Sequence, residues 1–342
     1  MTENSYFKKR IQFYLAGLKI FKSILKNKIK PTPIMCQWLA TFKCNYNCSF
    51  CNIRDNSPRK ESTTKEVIDL IKIMSDMGVG IFYVAGGEPL LRNDLKPILA
   101  SAKKSYMITM LSTNGYLIDK RLDILPFLDY IRVSLHSLKN YEKMVGIKNT
   151  KCLKKVLDNI ELLKKYKINI AINMVVTEKN IDEMEEIAKL AEKLRIKVSF
   201  TKMMEQIIRV LPGKSKFKPP IVKQYLSEIR RLRKKYNSVF VDDYYLDFEG
   251  RGGFLNTGIE CKAPDVLVSL NDGKIHLPCA MLPLKKIDPR HLKEKWRSKE
   301  FDKTREIIKH HESCKGCTDR CAFFPTSLLT LKGFINIVRG FK

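Results

Sequence analysis

The chain opens with apolar residues spaced four and three positions apart, the period of one helix face. This N-terminal stripe consists of Phe7, Ile11, Tyr14, Leu18, Phe21 and Leu25, and most neighbouring lysines fall off it. Pro31 and Pro33 follow, and proline ends a helix because it lacks a backbone N–H and restricts the residue before it. We therefore predict a basic amphipathic helix within residues 1–31.

From Pro33 onward, short β-branched or aromatic runs alternate with helical periodicity. The predicted strands are Ile34–Phe42, Gly80–Ala85, Met107–Ser112, Tyr130–Leu135, Ile168–Val176 and Lys197–Thr201. The predicted helices between them include Lys65–Met77, Asp94–Lys104, Lys151–Lys165 and Ile181–Leu194. Strict alternation indicates βα units and a parallel sheet, because parallel neighbours need a crossover. Six units predict an α/β fold with a partial (β/α)6 TIM-like barrel.

The remainder of the chain is less regular. Lys214–Pro220 has the composition of a linker, Tyr225–Lys235 is predicted as a basic helix, and Leu328–Phe341 is apolar and basic without an acidic residue. The predicted segments are an N-terminal helix (1–31), the barrel (32–213), a linker with a helix (214–258), a small C-terminal cysteine-rich domain (259–325) and a tail (326–342).

Composition narrows the class of protein. The 342 residues suggest about two domains, and 44% hydrophobic with 29% charged residues is typical of globular chains rather than disordered or collagenous ones. No apolar run approaches the ~18 residues of a membrane-spanning helix. The 64 Lys and Arg against 36 Asp and Glu leave a charge of +28. This excess favours an anionic partner: nucleic acid, a membrane surface or a phosphate-bearing substrate.

The ten cysteines are bunched, and no cleavable signal peptide is evident, which favours metal binding in a reducing cytosol over disulfides. Cys44, Cys48 and Cys51 follow the first predicted strand. Three thiolates this close can bind three corners of an iron–sulfur cubane and leave the fourth iron open to a chelating small molecule. Zinc is the alternative, but structural zinc needs four ligands and no histidine is near in sequence. Cys36 and Cys152 stand alone and are predicted to be buried apolar residues.

The run CNYNCSFC resembles the signature of the radical S-adenosylmethionine (radical SAM) superfamily, with an aromatic residue, Phe50, before the last cysteine. The resemblance implies a 4Fe-4S cluster whose open iron binds the methionine part of SAM, with Phe50 beside the adenine. Gly86, Gly87 and Glu88 follow the second predicted strand and are similar to the family's glycine-rich motif for the methionine amino group. Glycines suit such a motif because a backbone without Cβ can approach a ligand closely.

Further polar residues lie at the ends of the next strands. Thr113 and Asn114 end the third, Ser134 lies near the end of the fourth, and Asn173 lies on the fifth. Hydroxyl and amide groups suit a ribose and a carboxylate, and the resemblance implies that these residues contact SAM. Because βα-barrel active sites form at the carboxyl ends of strands, we expect all these motifs to meet at one face. His136 departs from the family pattern, and we prefer a loop-filling role to a substrate contact.

A second cysteine set comprises Cys261, Cys279, Cys314, Cys317 and Cys321. It resembles the SPASM or shorter twitch extensions of radical SAM enzymes, which implies one auxiliary 4Fe-4S cluster here. Cys261, Cys279 and Cys317 are the preferred ligands, and Cys314 and Cys321 compete for the fourth place. A zinc ribbon that includes His310 or His311 is the alternative.

Two strand predictions lie in this part of the chain. Val266–Leu270 and Lys274–Leu277 flank Asn271-Asp272-Gly273, which predicts a β-hairpin because its glycine tolerates positive φ. Upstream, Asp243 and Tyr245 belong to an acidic, aromatic run. They join His136 as candidate catalytic residues, since an acid or a phenol near a radical could take a proton or orient the substrate. A solvated edge strand is the preferred interpretation of this run.

The resemblance implies a cytoplasmic, anaerobic radical SAM oxidoreductase or maturase that is reduced by a donor such as ferredoxin or flavodoxin and cleaves SAM to a 5′-deoxyadenosyl radical. The auxiliary domain suggests oxidation or crosslinking of a peptide or protein side chain. The alternative is a lipid substrate. A zinc-stabilised nucleic-acid binder is the non-enzymatic alternative, disfavoured because no aromatic-laced basic motif is evident. We predict no cobalamin.

The N-terminal helix leaves two possibilities open. It either docks over the open side of the barrel or binds the inner face of an anionic membrane as a peripheral contact, and both need an apolar stripe.

Overall fold

The computed structural model describes residues 3–56, 60–148, 151–166, 168–203, 218–254, 256–279, 282–308, 310–315 and 317–330, with backbone alone at 3–10, 55–56, 278, 313 and 321. Four features predicted above therefore lie wholly or partly outside the described residues. They are the side chains of Phe7 and Cys321, the first part of the linker (214–217) and most of the tail (331–342).

The core of the structure is one nine-stranded sheet. Its strands are β1 (Met35–Leu39), β2 (Ile81–Ala85), β3 (Ile108–Thr113), β4 (Tyr130–Ser134), β5 (Asn169–Val176), β6 (Lys197–Lys202), β7 (Leu267–Asn271), β8 (Lys274–Cys279) and β9 (Leu282–Ile287). The order is β6-β5-β4-β3-β2-β1-β7-β8-β9, and β1 to β6 are parallel to their neighbours. The sheet does not close on itself, so the predicted α/β partial barrel is confirmed.

Helices pack around the sheet, and those predicted between its strands have bounds close to the predicted ones. They are α1 (Glu3–Asn27), α2 (Thr64–Met77), α3 (Leu95–Lys104), α4 (Tyr141–Val145), α5 (Cys152–Leu163), α6 (Met184–Leu194), α7 (Val222–Lys235), α8 (Asp243–Gly250), α9 (Ala263–Val266), α10 (Leu292–Trp296), α11 (Lys299–Ile308) and α12 (Arg320–Ser327). The helix α2 shows why the boundaries were predictable. Thr63 and Glu66 form a capping box at its start, and Gly78 ends it at φ 108°.

The cysteine-rich region extends the barrel sheet. Its first strand, β7, pairs in parallel with β1, with Met35 opposite Leu267. The predicted hairpin of β7 and β8 is confirmed, with Asp272 and Gly273 both at positive φ in its turn. The strand β9 and the helices α10 and α11 had not been predicted. Within the described residues, the cysteine-rich region thus shares the sheet of the barrel.

The prediction of an edge strand around Asp243 was wrong, because this run forms the helix α8. The Asp242 side chain caps the helix by accepting a hydrogen bond from the Tyr245 N–H at 2.7 Å. Tyr245, Leu246 and Phe248 lie on the buried side of this helix. The acidic residues had suggested a solvated strand, whereas the apolar residues between them have helical spacing.

The predicted helix α1 is present, but a different face packs against the protein. Ala16, Ile20 and Ser23 are buried, whereas Ile11, Tyr14, Leu18 and Leu25 of the N-terminal stripe are 40–67% exposed. Ser23 Oγ donates to the Gly78 carbonyl at 2.9 Å, and Ile20 packs where a Cβ on Gly80 would lie 2.4 Å from it. The two glycines precede β2, so α1 docks at the amino ends of the strands. No described helix is both long and apolar enough to cross a membrane.

Candidate functional site

The first cysteine set lies on the loop that follows β1. Cys51 N–H donates to the Cys48 carbonyl at 3.0 Å, which closes a turn, and Tyr46 N–H points to Cys44 Sγ at 3.4 Å. The short turn keeps the cysteines on one connected loop. Tyr46 anchors the loop because its buried ring packs against the buried ring of Tyr141 at 6.3 Å. The loop therefore presents three thiols at the carboxyl edge of the sheet.

The thiols of this set interact electrostatically with one another. Burial raises the pKa of Cys44 to about 11, with a smaller increase from Cys51. Burial also raises the pKa of Cys48, and both Cys51 and Cys44 add to the increase. Buried thiols of this kind stay protonated until a metal stabilises the thiolate. A cysteine-ligated iron–sulfur cluster fits this donor set because its irons supply the required positive charge.

A single metal ion needs ligands closer together than a cluster does. No group of three or more His, Cys, Asp or Glu side chains in the described part of the chain is arranged to hold a metal ion. In a cubane cluster each cysteine binds its own iron, so the ligating sulfurs stand farther apart than around one ion.

Gly86 and Gly87 allow the backbone after β2 to pack against the cysteine loop. Gly87 N–H donates to the Thr41 carbonyl at 2.7 Å, and Glu88 N–H donates to the Lys43 carbonyl at 2.9 Å. A Cβ on Gly87 would lie 2.1 Å from the Lys43 carbonyl oxygen, and Gly86 has a φ of 141°. The two glycines therefore let the backbone pack against the segment leading into Cys44, whereas the sequence predicts an approach to a ligand.

Glu88 joins the carboxyl ends of β2 and β3. Its carboxylate is fully buried and accepts hydrogen bonds from Thr113 Oγ1 at 2.8 Å, Asn114 N–H at 2.7 Å and Leu90 N–H at 2.9 Å. Burial raises its pKa to about 7, although these hydrogen bonds act in the opposite direction. Asn114 also donates through Nδ2 to Asn45 Oδ1 at 2.7 Å. The residues predicted at the ends of β2 and β3 therefore form one network with the cysteine loop.

The two remaining predicted cofactor residues lie next to each other on β4 and β5. Ser134 is opposite Asn173 in the register, and Asn173 is buried. The Asn173 side-chain oxygen accepts hydrogen bonds from Ser199 at 3.0 Å and Thr201 at 2.9 Å. Asn173 is thus held by β6, and the polar row predicted across the strands continues to the far edge of the barrel.

His136 lies beneath Phe50, the aromatic residue of the cysteine loop. Their rings meet edge to face with centroids 4.8 Å apart, and His136 Nδ1 accepts a hydrogen bond from Val175 N–H at 3.0 Å. The His136 side chain is buried, and burial lowers its pKa to about 4. A neutral imidazole therefore supports the position of Phe50, in line with the loop-filling role preferred from the sequence.

The buried imidazole predicts a pH dependence of stability. Below pH 6.5 the unfolded chain protonates His136, whereas the folded chain resists until about pH 4, so stability falls as the pH falls. Between pH 7 and pH 5 the loss amounts to about 2 kcal/mol. Anaerobic thermal melting should show the wild-type midpoint dropping about 3 °C more over this interval than that of His136→Gln. Equal drops in both proteins would contradict the assigned protonation state.

The second cysteine set lies at the opposite edge of the sheet. Cys317 and Cys261 belong to an apolar cluster with Ile34, Met35 and Ile81, which mark the amino ends of β1 and β2. Cys279 ends β8, which runs antiparallel to β7 and so also reaches this edge. The two cysteine sets are thus separated by about the length of a five-residue strand, on the order of 16 Å.

Four thiols of the second set lie close enough to influence one another. Burial raises the pKa of Cys261 well above its usual value, and Cys279, Cys317 and Cys314 add to the increase. Burial likewise raises the pKa of Cys317 to about 12. Cys317 N–H donates to the Cys314 carbonyl at 3.1 Å, so these two share a turn. The described part of the chain therefore brings together Cys261, Cys279, Cys314 and Cys317.

The candidate catalytic residues on α8 lie nearer to the second set. Tyr245 is buried, and its hydroxyl donates to the Thr318 carbonyl at 3.4 Å, one residue beyond Cys317. The Asp243 side chain is 63% exposed and pairs with Arg233 at 2.6 Å. Tyr245 thus packs at the amino edge, and Asp243 lies on the surface. Cys36 and Cys152 are buried as predicted.

Sequence reasoning missed three residues that hold the site together. Gly146 has a φ of 68°, and a Cβ there would lie 2.1 Å from the Asn47 carbonyl oxygen of the cysteine loop. Asn180 is buried and donates to the carbonyl of His136 at 2.7 Å. Glu183 is buried and accepts from Ser137 Oγ at 2.6 Å. Only Gly146 had a signal in the sequence, since a glycine after a short helical run is typical of a left-handed C-cap.

Comparison with known proteins agrees with this arrangement. A putative glycyl-radical enzyme activating enzyme of Methanocaldococcus jannaschii is 34% identical over 158 residues, which are 44% of this chain and 60% of that protein. The GTP 3′,8-cyclase of Helicobacter pylori strain HPAG1 is 32% identical over 176 residues, which are 48% and 54% of the two chains. The matches therefore span less than two thirds of either relative.

Solved structures show the same fold over more of the chain. Streptococcus suis SuiB, bound to its precursor peptide SuiA, superposes with a TM-score of 0.65 at 19% identity, covering 85% of this chain and 70% of that one. The family model described as Radical SAM superfamily matches residues 38–191, which include the first cysteine set and the ends of β2 to β5. Residues 38–191 of this chain are therefore similar to the radical SAM superfamily over a little less than half of the chain.

Proposed function

We propose that this chain is a radical SAM enzyme that binds a 4Fe-4S cluster through Cys44, Cys48 and Cys51 and binds SAM beside it. The observation that carries the proposal is that the loop bearing the three thiols is joined to the polar ends of β2 and β3. Asn45 of this loop accepts a hydrogen bond from Asn114, which in turn donates to buried Glu88. When bound and reduced, this cofactor pair supplies a 5′-deoxyadenosyl radical that removes a hydrogen atom from the substrate.

The residues of the chain bind, orient and exclude water. Gly86 and Gly87 bring a stretch of backbone next to the cysteine loop, where the methionine part of SAM would bind. Thr113, Asn114, Ser134 and Asn173 line the strand ends where ribose and carboxylate oxygens need partners. Phe50, supported by His136, supplies an apolar face for the adenine.

We assign a second, auxiliary 4Fe-4S cluster to the other end of the barrel. The mutual influence of Cys261, Cys279, Cys314 and Cys317 supports these four as its ligands. Such a cluster could accept an electron from a substrate radical, and its separation from the first set leaves room for a substrate in between. A ferredoxin or flavodoxin would supply electrons to the first cluster.

Iron content and electron paramagnetic resonance test this assignment. Anaerobically reconstituted protein should be brown and contain about eight irons per chain, as two Cys-ligated clusters require. The spectrum of the reduced first cluster should change when SAM is added, because SAM would bind its open iron. A colourless, zinc-containing protein would contradict both cluster assignments.

The substrate that this arrangement supports best is a peptide or protein side chain. The fold is shared with SuiB, which was solved with a bound precursor peptide, and the likeness covers 85% of this chain. The GTP 3′,8-cyclase of Helicobacter pylori strain HPAG1 matches a smaller share of this chain, 48%. Oxidation or crosslinking of a side chain is accordingly the proposed reaction.

We also propose that α1 holds the enzyme at an anionic membrane surface. Ile11, Tyr14, Leu18 and Leu25 face outward beside exposed Lys22, and an apolar stripe flanked by lysines is typical of interfacial helices. The docked face of α1 packs at the amino ends of the strands, whereas Cys44 lies at the carboxyl edge. A membrane-embedded lipid would therefore be distant from the first cysteine set, which favours a substrate from the aqueous side.

Vesicle sedimentation tests the membrane contact. Wild-type protein should sediment with vesicles of equal phosphatidylglycerol and phosphatidylcholine, and Leu18→Glu with Leu25→Glu should weaken binding by at least about tenfold, since each loses an apolar contact and adds a negative charge. The matched control carries Ile221→Glu and Ile307→Glu, which change two exposed apolar residues elsewhere. Unchanged sedimentation of the α1 variant would contradict this assignment.

A further inference from the structure

The concave side of the barrel encloses a cavity that the cysteine sets and motifs do not explain. Its volume is about 770 Å³, within the range of small-molecule sites. Tyr83, Met110, Arg132 and Ser199 line it from β2, β3, β4 and β6, and Arg320 lines it from α12. The cavity thus lies between the sheet and the helix that follows the second cysteine set.

Two arginines in the wall of this cavity have buried N–H groups without hydrogen-bond partners. These groups are Nε of Arg132 and both Nε and Nη2 of Arg320. Arg320 stacks over the Tyr245 ring at 4.3 Å, which fixes the plane of its guanidinium. A buried donor attached to a charged group costs about 1–3 kcal/mol or more when it stays unpaired. Such groups are normally satisfied by water or by a ligand.

The two acidic residues that line the cavity, Glu192 and Asp242, form no ion pair with either arginine. Glu192 accepts from Ser238 N–H at 2.7 Å, and Asp242 caps α8. Glu249 is buried near Arg320, where its charge contributes to raising the Arg320 pKa, and its carboxylate also lies 3.3 Å from Lys202. Lys164, Arg195 and Lys197 also line the cavity, so its lining is basic overall.

The two arginines reach the cavity from different elements, Arg132 from β4 and Arg320 from α12. Arg132 precedes Ser134 by two residues on the same side of β4, which places its Cα about 7 Å below the end of the strand where SAM is proposed to bind. Arg320 follows Cys317 by three residues and lies beside Tyr245. A ligand held by both side chains would lie between the two cysteine sets.

We propose that this cavity is the substrate pocket and that Arg132 and Arg320 bind an anionic group of the substrate, a carboxylate or a phosphate. The inference rests on the proposed radical SAM function and adds the class of substrate. A guanidinium group suits either anion because its N–H groups can donate two parallel hydrogen bonds. For a peptide substrate, the bound group would be an acidic side chain, a carboxyl terminus or a phosphorylated residue.

Calorimetric titration of the anaerobic, cluster-loaded protein at physiological salt tests the site with three probes: glutarate, methyl phosphate and uncharged glutaramide. One of the two anions should bind in the low millimolar range or better. The anion that binds more tightly identifies the recognised group of the substrate as a carboxylate or a phosphate. Glutaramide should not bind. Arg132→Met and Arg320→Met should each weaken binding by at least about tenfold, the loss expected for a charge-assisted contact.

The controls distinguish binding in this cavity from attraction to charged residues on the surface. They also keep the test of binding apart from the test of the proposed chemistry. Arg230→Met removes an exposed arginine on α7 and should leave the affinity unchanged. If Arg320→Met does not fold, Arg320→Lys should bind with reduced affinity and Arg132→Met still tests the pocket. Binding of neither anion, or undiminished binding by the Arg132 variant, would overturn the inference. Formation of 5′-deoxyadenosine by the wild-type protein is a separate measurement, so either result can fail alone.

Discussion

Gly87→Ala is expected to abolish SAM cleavage and to reduce the iron content to about half, with at least about a 100-fold loss of 5′-deoxyadenosine formation. A Cβ on Gly87 would lie 2.1 Å from the carbonyl oxygen of Lys43, and backbone atoms cannot move aside as a flexible side chain can. The hydrogen bonds from Gly87 N–H to Thr41 and from Glu88 N–H to Lys43 would break as the two segments separate. The cysteine loop would then lose its contact with the backbone after β2, which holds the loop in its conformation.

Gly17→Ala is the matched control for this prediction. Gly17 lies in α1 with no atom within 4 Å of the position that its Cβ would take. Alanine there should stabilise the helix by about 0.5–1 kcal/mol, because glycine is unfavourable in a helix interior. Iron content should remain at the wild-type value. Full iron content and activity in Gly87→Ala would show that the β2 end does not support the cysteine loop.

Cys279→Ala should remove one cluster and leave the other. Because Cys279 belongs to the second set, we expect iron to fall from about eight to about four per chain. Substrate-independent 5′-deoxyadenosine formation should persist within about threefold of wild type, since the first set lies on the order of 16 Å away. Iron analysis and liquid chromatography of the reaction products measure both quantities.

Cys36→Ala controls for the loss of any buried thiol. Cys36 lies in the apolar core on β1, outside both sets, so its replacement should lower stability modestly and leave the iron content unchanged. Loss of all iron from Cys279→Ala would mean that the second set is needed to fold the first. Retention of all iron would remove Cys279 from the proposed ligands.

The core of the fold was predictable because each βα unit carries a local signal. The helix α2 has a capping box, a buried stripe and a C-terminal glycine, and the strands that flank it are short apolar runs. The alternation of such units then specifies a parallel sheet. The contact of β7 with β1 had no such signal, because a pairing between residues more than 200 positions apart leaves no period in the sequence.

The site was predictable where its residues follow strands directly. Cys44, Gly87, Thr113 and Ser134 all lie at carboxyl ends, and the sheet brings these ends together. The supporting residues Asn180 and Glu183 were not predictable, since they act through hydrogen bonds to backbone groups of the loop after β4. Nothing in their sequence neighbourhood indicates that contact.

The orientation of α1 shows a further limit to what the sequence predicts. Periodicity identified both the helix and its most apolar face, yet the face that packs contains Ala16, Ile20 and Ser23. This face packs against the protein because Gly78 and Gly80 let the helix approach closely, and because Ser23 donates a hydrogen bond to the Gly78 carbonyl. Shape and hydrogen bonding at a docking surface are not encoded in hydrophobicity alone.

The most direct test of the radical SAM assignment is the fate of SAM on the anaerobic, dithionite-reduced protein. Wild-type protein should convert SAM to equal amounts of methionine and 5′-deoxyadenosine, and the variant with alanine at positions 44, 48 and 51 should produce neither. Intact SAM in the wild-type reaction, or unchanged product formation by the triple variant, would contradict the account.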